Sequence, residues 1–351
     1  MKRTGFLYEE MVSEANMALA IESALKRKKW KREANRILRH KAEAAKWLSE
    51  NPFPENRYRA KVVVDPASGK RRDLLVPCAA DLVRQHAVMQ VLQPLLERGF
   101  YEHSYACRKG YGATRCAMYV RSRLTKMSKR RTYFAKIDVV KFYDSVDLPT
   151  LKRLLRNAVK DKMALRLIDA IIDGTGWKKG IPIGNYTSQI LANFYLTPAD
   201  RYAKQCLGVP LYVRYADDML LASHNKRELR KQIAKLCAFL GSELSLSVHS
   251  ERISIRELTD DGDGFVDLCG FKAYRNHTTI RKRTFNRIRR LASTLKRYVT
   301  IKAARSLMSY WGYLMRADCH EWWSRNKVCL SNLRSAISEA DRKRYVSCQR
   351  A

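Results

Sequence analysis

Two short apolar runs, Leu211-Tyr-Val-Arg-Tyr215 and Met219-Leu-Leu-Ala222, stand on either side of Ala216-Asp217-Asp218. Runs of this length, rich in Val, Leu and Tyr, predict the two strands of a hairpin. The hairpin therefore carries adjacent carboxylates at its tip. Neighbouring like charges repel and raise each other's pKa, so a tight turn gains nothing from them. A pair of divalent cations does use them, which makes the tip a candidate metal site. Upstream, the apolar strand Tyr133-Phe-Ala-Lys-Ile137 delivers a third carboxylate, Asp138. Phosphoryl transfer to a nucleic-acid 3′-hydroxyl needs charge neutralised and the attacking and leaving oxygens held in line. Two Mg²⁺ ions about 3.5–4 Å apart, on hard oxygen ligands, do both. Asp138 and Asp217 are the expected bridging ligands, with Asp218 in support.

The charge balance points to the polymer, with a ribosomal-type or membrane-surface protein as the plainer reading of charge alone. Lys plus Arg number 69 against 34 Asp plus Glu, a net charge of +35 over 351 residues. An excess of that size points to a polyanion, and nucleic acid above all. The nine cysteines form no Cys-x-x-Cys pair, which argues against a disulfide framework or zinc site and for a reducing cytoplasm. His103 and Cys107, four apart, lack a second ligand pair and are expected to pack. No leader-like N-terminus and no run near membrane-spanning length is visible, so a soluble chain with no membrane partner is expected.

Residues 7–50 lack Pro and Gly and predict a basic helical segment, ended by Asn51-Pro-Phe-Pro54. A hairpin is expected over 59–77, with strands Ala60–Val64 and Asp73–Val76 and a basic tip at Lys70-Arg-Arg72. Helices are expected over Ala80–Glu97, Leu151–Asp173, Thr187–Lys204 and Lys226–Leu240. Arg121–Arg131 is expected to be a basic connection, Leu244–Val248 a strand, and Asp260–Tyr274 a hairpin. From Thr284 on, the pattern is helical and basic with Trp and Tyr. The order from Tyr133 to Tyr274 suits a split βαβ, ferredoxin-like sheet and places Asp138 beside Asp217 and Asp218 at neighbouring strand ends. Asp260–Asp267 resembles an EF-hand loop only in part. Aligning Gly264 with the required glycine puts Thr259 first and Gly270 last, where acidic ligands are needed.

Tyr215-Ala-Asp-Asp218 resembles the signature of reverse transcriptases, and Asp138-Val-Val-Lys-Phe-Tyr-Asp-Ser-Val146 resembles their upstream catalytic motif. The resemblance implies an α+β right-hand polymerase with fingers, a ferredoxin-like palm and a helical thumb. It implies a basic helical extension over 1–56, fingers over 57–135 with 150–182 returning to fingers and palm, palm over 136–283 and thumb over 284–351. Asp138, Asp217 and Asp218 would be catalytic and would bind two Mg²⁺ (or Mn²⁺) together with Val139. Tyr143 would be the steric gate against a ribose 2′-hydroxyl, and Lys70 and Arg72 would grip the incoming triphosphate. Leu268-Cys269-Gly270-Phe271 resembles the primer-grip turn.

One departure narrows the family. Relatives of group II intron reverse transcriptases usually carry Gln-Gly…Ser-Pro ahead of the Asp-Asp hairpin, whereas this chain has Ile183-Gly184-Asn-Tyr-Thr-Ser-Gln189. That string resembles the reverse transcriptases of bacterial and phage diversity-generating retroelements, placing Ile183, Gly184 and Gln189 at the nucleotide. The resemblance implies error-prone cDNA synthesis, chiefly at adenines, from a template-repeat RNA for mutagenic retrohoming. Template RNA, an RNA–DNA duplex, dNTPs and a small basic accessory protein encoded nearby would be the partners. An aliphatic side chain beside the nascent pair offers no hydrogen bond, which loosens the geometric check on it. The sequence shows no His-Asn-His-like or Cys-rich endonuclease extension. The alternatives are a retron-type or phage-defence reverse transcriptase, and a non-catalytic RNA-binding protein derived from a polymerase.

Overall fold

The structure, a computed structural model, describes residues 4–64, 69, 71–127, 129–259, 264–297, 300–322, 324–326, 333, 335 and 337–339. In chain order the elements begin with α1 (Tyr8–Val12), α2 (Glu14–Leu25), α3 (Arg32–Arg39) and α4 (Lys41–Glu50), then β1 (Tyr58–Val64), β2 (Arg71–Pro77), α5 (Ala79–Glu97) and α6 (Ala113–Met127). Next come β3 (Tyr133–Ile137), α7 (Phe142–Ser145), α8 (Leu148–Ala158), α9 (Lys162–Asp173), α10 (Tyr186–Tyr195) and α11 (Thr197–Arg201). They are followed by β4 (Leu211–Tyr215), β5 (Asp218–Ser223), α12 (Lys226–Leu244), β6 (Arg256–Glu257), β7 (Val266–Leu268), β8 (Phe271–Ala273) and β9 (Thr278–Ile280). The last helices are α13 (Lys282–Arg297), α14 (Ile301–Met308) and α15 (Trp311–Leu314).

The central sheet has strand order β4-β5-β3-β6, with α7 to α11 inserted between β3 and β4 and α12 between β5 and β6. That is the strand order of the split βαβ sheet. It seats β5, which begins at Asp218, next to β3, which ends one residue before Asp138. Local chemistry starts the helices that flank it. Asp147 caps α8 by accepting from the Thr150 amide at 2.9 Å. Asp161 caps α9 from the amides of Met163 and Ala164, each at 3.0 Å, while its other oxygen accepts from Leu7 and Tyr8. Ile233, Leu236, Leu240 and Leu244 of α12 recur at helical spacing and are buried.

The chain divides into two compact units. The first comprises Met1–Cys107, Lys136–Met219 and Arg230–Ile253. Its N-terminal core packs Met17, Ile21 and Leu25 of α2 with Leu48 of α4 and Val83 of α5. The β1–β2 hairpin is antiparallel, pairing Tyr58 with Pro77 and Val64 with Arg71. The second comprises Arg108–Ala135, Leu220–Leu229 and Ser254–Ala351. Its core packs Phe271 and Ile280 of the β7-β8-β9 sheet with Ile288 and Leu295 of α13 and Leu307 of α14.

Several expectations are corrected. The helical segment expected over 7–50 is present and divides into four helices. Most of Arg121–Arg131 is not a connection but the second half of α6, because Cys116, Ala117, Val120 and Leu124 make a buried stripe at helical spacing. Leu244–Val248 forms no strand: α12 runs on to Leu244, Ser245 turns with φ 50°, and only Val248 bridges back to Val139. Pro198 opens a new helix, α11, inside the expected Thr187–Lys204 helix. The late hairpin is β7–β8, turning at Cys269-Gly270, and residues 260–263 lie outside the described residues. The described cysteines are free thiols. Among the described residues no helix is long and apolar enough to cross a membrane.

Candidate active site

The turn that presents Asp217 is held by a buried arginine. Arg214 is the penultimate residue of β4, and its side chain and that of its partner Asp200 on α11 are both 0% exposed. Arg214 Nε donates to Asp200 Oδ1 at 2.7 Å, and one terminal nitrogen donates to Asp200 Oδ2 at 2.7 Å and to the Asn193 carbonyl at 3.3 Å. The other donates to Asn193 Oδ1 at 3.0 Å and to the Ala216 carbonyl at 3.1 Å. All five N–H groups of the guanidinium are thereby satisfied. Tyr212 adds a hydroxyl to Asp200 Oδ1 at 2.8 Å. The bond to Ala216 matters most, since Ala216 is the turn residue and sits at φ 54°, where an L-residue without a hydrogen-bonding side chain is strained. The backbone of Arg214 is also held, donating to His103 O at 3.1 Å and accepting from Tyr105 N at 3.0 Å.

Asp217 follows that turn. Its carboxyl is pushed up to about 6, mainly by burial, with the like charges of Asp218 and Asp138 adding to it and Arg72 opposing. Asp218 Oδ1 pairs with Lys136 Nζ at 3.2 Å. Asp138 Oδ2 pairs with Arg252 at 3.4 Å, and its carbonyl accepts from His249 N at 3.0 Å. Among the described residues no three His, Cys, Asp or Glu side chains stand at metal-holding distance. The donor chemistry nevertheless fits a hard divalent ion: carboxylate oxygens from two neighbouring strand ends, with Lys136 and Arg252 as the charges such an ion would displace.

Of the expected nucleotide residues, Tyr143 and Arg72 interact electrostatically with Asp217, and Ile183 and Gly184 lie against β2. The Tyr143 hydroxyl is raised by burial, then by Cys107 and Asp217, and the Tyr143 carbonyl accepts from Ile181 N at 2.8 Å. Arg72 is exposed on β2, and Lys70 lies outside the described residues. Ile183 is half-buried, and its carbonyl accepts from Leu75 N of β2 at 3.0 Å. At Gly184, with φ 119°, a Cβ would stand 2.6 Å from the Leu75 carbonyl, so this close approach requires glycine. Gln189 is exposed near the start of α10. Val139 is buried and bridges to Val248. Cys107, expected to pack, is exposed.

The expected primer-grip residues belong to the second unit. Cys269 at φ 53° and Gly270 at φ 86° make the β7–β8 turn. The Cys269 carbonyl accepts from Tyr313 Oη at 3.1 Å, and Phe271 is 1% exposed, stacked on Tyr313 with centroids 4.8 Å apart. Phe271 is thus a core residue, and the turn itself is what reaches the surface.

Arg214, Asp200, Lys136 and Arg252 escaped the sequence reading. One signal was present for Arg214: a charge inside an otherwise apolar strand demands a buried partner.

The sequence matches the reverse transcriptase (RNA-dependent DNA polymerase) family over residues 65–277, more than half of the chain. Protein YkfC of Escherichia coli K12 is 23% identical over 285 residues, covering 70% of this chain and 71% of YkfC. An uncharacterized 91 kDa protein in the cob intron of Schizosaccharomyces pombe is 28% identical over 150 residues, 40% of this chain and 18% of that protein. Apo telomerase from Candida tropicalis superposes with a TM-score of 0.54 at 15% identity, covering 83% of this chain and 63% of that one. The chain thus spans under a fifth of the intron protein and less than two thirds of the telomerase. The fold is the expected α+β polymerase fold. The chain belongs to the reverse transcriptase family.

Proposed function

We propose that the chain is an RNA-directed DNA polymerase that makes error-prone cDNA from a template-repeat RNA, for mutagenic retrohoming in a diversity-generating retroelement. The observation that carries the polymerase reading is that β3 and β5 are neighbours in the central sheet, with Asp138 directly after the one and Asp217 and Asp218 at the start of the other. Burial and those like charges raise the Asp217 carboxyl, which suits a group that receives added positive charge. Asp138 and Asp217, with the Val139 carbonyl, would hold two Mg²⁺ ions, and Asp218 would support them. When bound, the ions supply charge neutralisation and in-line alignment of the attacking and leaving oxygens. Tyr143 stacks its bulk where a 2′-hydroxyl would project, and Arg72, with Lys70, pairs with triphosphate oxygens. The Cys269-Gly270-Phe271 turn supports the primer end. In this reading residues 1–56 are a basic helical extension, 57–135 the fingers with 150–182 returning to fingers and palm, 136–283 the palm and 284–351 the thumb.

Ile183 supports the error-prone role. Its backbone is tied to β2 by the Leu75 amide, and the aliphatic side chain that replaces the usual glutamine offers no hydrogen bond. Template RNA, the growing RNA–DNA duplex, dNTPs and a small basic accessory protein are the partners in this reading.

Primer extension on an RNA template with Mg²⁺, followed by sequencing of the cDNA, tests both parts. The Asp217→Ala, Asp218→Ala double variant is the control. Extension with errors concentrated at template adenines is expected. Accurate extension would keep the polymerase and remove the diversity-generating role. No extension, even with the accessory protein added, would remove the polymerase.

A further inference from the structure

A second surface, on the N-terminal helices, is left unused by nucleotidyl transfer. Between α2 and α3 the chain reads Lys26-Arg-Lys-Lys-Trp-Lys-Arg32, six cations around one indole. The turn is ordered. Lys28 N donates to Leu25 O at 2.8 Å, Lys31 N donates to Lys28 O at 2.9 Å, and Lys28 Nζ caps the Ala24 carbonyl at 2.6 Å. Trp30 is nonetheless 74% exposed, unusual for the largest apolar side chain. Lys31 Nζ stands 5.5 Å from its ring centroid, and the exposure leaves the ring open to a second stacking partner.

The charge continues onto α3. Arg32, Arg36 and Arg39 are exposed and share one helix face at i, i+4 and i+7, a span of about 10 Å along the axis. Arg36 also lines a cavity of about 460 Å³ with Ile37, His40, Trp47 and Arg57. Trp47 is 48% exposed there, with the Arg84 guanidinium 5.2 Å from its ring. The cavity's acids already have partners: Glu55 pairs with Arg57 at 2.7 Å, Glu43 with His40 at 3.4 Å, and Glu33 accepts from Ala79 N at 3.1 Å.

We propose that this surface binds an unpaired stretch of RNA, separately from the polymerase site, with bases stacking on Trp30 and Trp47 and phosphates along Arg32, Arg36 and Arg39. Stacking platforms between cations are how proteins hold single strands without reading their sequence. A duplex keeps its bases stacked within itself and has no ring to offer Trp30. A lipid surface fits poorly. Ile37 and Leu38 of α3 pack against the N-terminal core, so the helix has no free apolar face to lay into a bilayer. The inference takes from the polymerase reading only the choice of RNA as polymer, and its test reads binding, not synthesis.

The test is fluorescence anisotropy of labelled oligouridylate on the full chain, with excess unlabelled RNA–DNA hybrid to occupy the primer–template path. Trp30→Ala is expected to weaken oligouridylate binding by about 5- to 100-fold, the value of one stacked base, and Trp30→Phe to retain most of it. The Lys29→Gln, Lys31→Gln pair should weaken binding and flatten its salt dependence. Melting temperature and primer extension at saturating primer–template should not change in any variant, because Lys29 and Trp30 are exposed, Lys31 is only half-buried, and none of the three serves synthesis. Unchanged oligouridylate affinity in Trp30→Ala overturns the proposal, and so does an equal loss for hybrid duplex. So does a loss of binding to phosphatidylglycerol vesicles while RNA affinity stays intact.

Discussion

Arg214 places all five of its N–H groups inside the protein, and one of them holds the carbonyl of the turn that presents Asp217. Lysine at this position would keep the charge but offer three donors from a single point, so it cannot serve both Asp200 oxygens, Asn193 and Ala216 together. Arg214→Lys is expected to fold with a loss of about 2–3 kcal/mol, as buried acceptors go unpaired. The looser turn should slow extension by roughly 10- to 100-fold and raise the Mg²⁺ concentration needed, while primer–template affinity stays unchanged. An Mg²⁺ titration of single-nucleotide addition checks this, and an unaltered Mg²⁺ midpoint would show Arg214 to be structural alone. Asp217 gives a second prediction with a definite sign. Its carboxyl sits at about 6 in the folded chain against an ordinary 3.8, so the folded state holds the proton more tightly than the unfolded one. The resulting stabilisation is complete below about pH 4 and is lost as pH rises through 6. At pH 8 in EDTA, Asp217→Asn should therefore be more stable than the parent, by up to about 3 kcal/mol. Its advantage should vanish near pH 4, where both side chains are neutral. Paired thermal melts across that range measure it, and equal melting at pH 8 would refute it. The acids were legible in the sequence because adjacent like charges at a strand turn need a reason. Their supports, Lys136 and Arg252, were not, since surface cations are ordinary in a chain of net charge +35 and only folding shows which carboxylate each one meets.

At the scale of elements, the legible parts were those whose pattern is local. β3 falls on the expected Tyr133–Ile137, and α5 begins one residue before the expected start and ends at the expected Glu97, because an apolar run with clear flanks needs no distant partner to define it. Leu244–Val248 misled for the opposite reason. Its Leu and Val alternate like a strand, yet α12 already has Leu240 and Leu244 buried on its own stripe, and the segment after it finds just one bridging partner. The pinning of Ile183 to β2 was likewise invisible, since the Leu75 amide that meets its carbonyl lies 108 positions away in sequence (183 − 75). That contact sharpens the fidelity prediction, because the backbone is fixed by β2 and substitution at Ile183 changes the side chain without moving the strand. Ile183→Gln restores a group able to hydrogen-bond to the nascent pair and is expected to lower misincorporation at template adenines, by about tenfold if a single neutral hydrogen bond of about 1 kcal/mol or somewhat more is regained. Errors at the other template bases should change less. Sequencing of cDNA made by the two proteins on one template decides it, and an unchanged adenine error rate would separate this motif from infidelity.

For the molecule as a whole, charge is the property the sequence states most directly and the structure distributes. The excess is not confined to one element: α3 exposes Arg32, Arg36 and Arg39, and α13 carries Lys282, Arg283, Arg287, Arg289, Arg290, Lys296 and Arg297 in sixteen residues. Across the chain acids number about half as many as bases, so about half of the positive charges have no acid of the chain to balance them. Their counter-charge must come from outside, and each phosphate they neutralise releases a condensed cation into solution. RNA binding should therefore be driven largely by that release. If about 6–10 phosphates are engaged, affinity should fall by roughly 10³-fold or more between about 50 and 200 mM salt. The slope should be the same for templates of unrelated sequence, since phosphate contacts carry no sequence information. Removing the Trp30 ring should shift the whole line downward without changing its slope, because stacking releases no counterions, whereas removing Lys29 and Lys31 should reduce the slope itself. Titrations of the parent and both variants across that salt range separate the two contributions. A flat dependence in the parent would mean that the +35 charge serves something other than a polyanion.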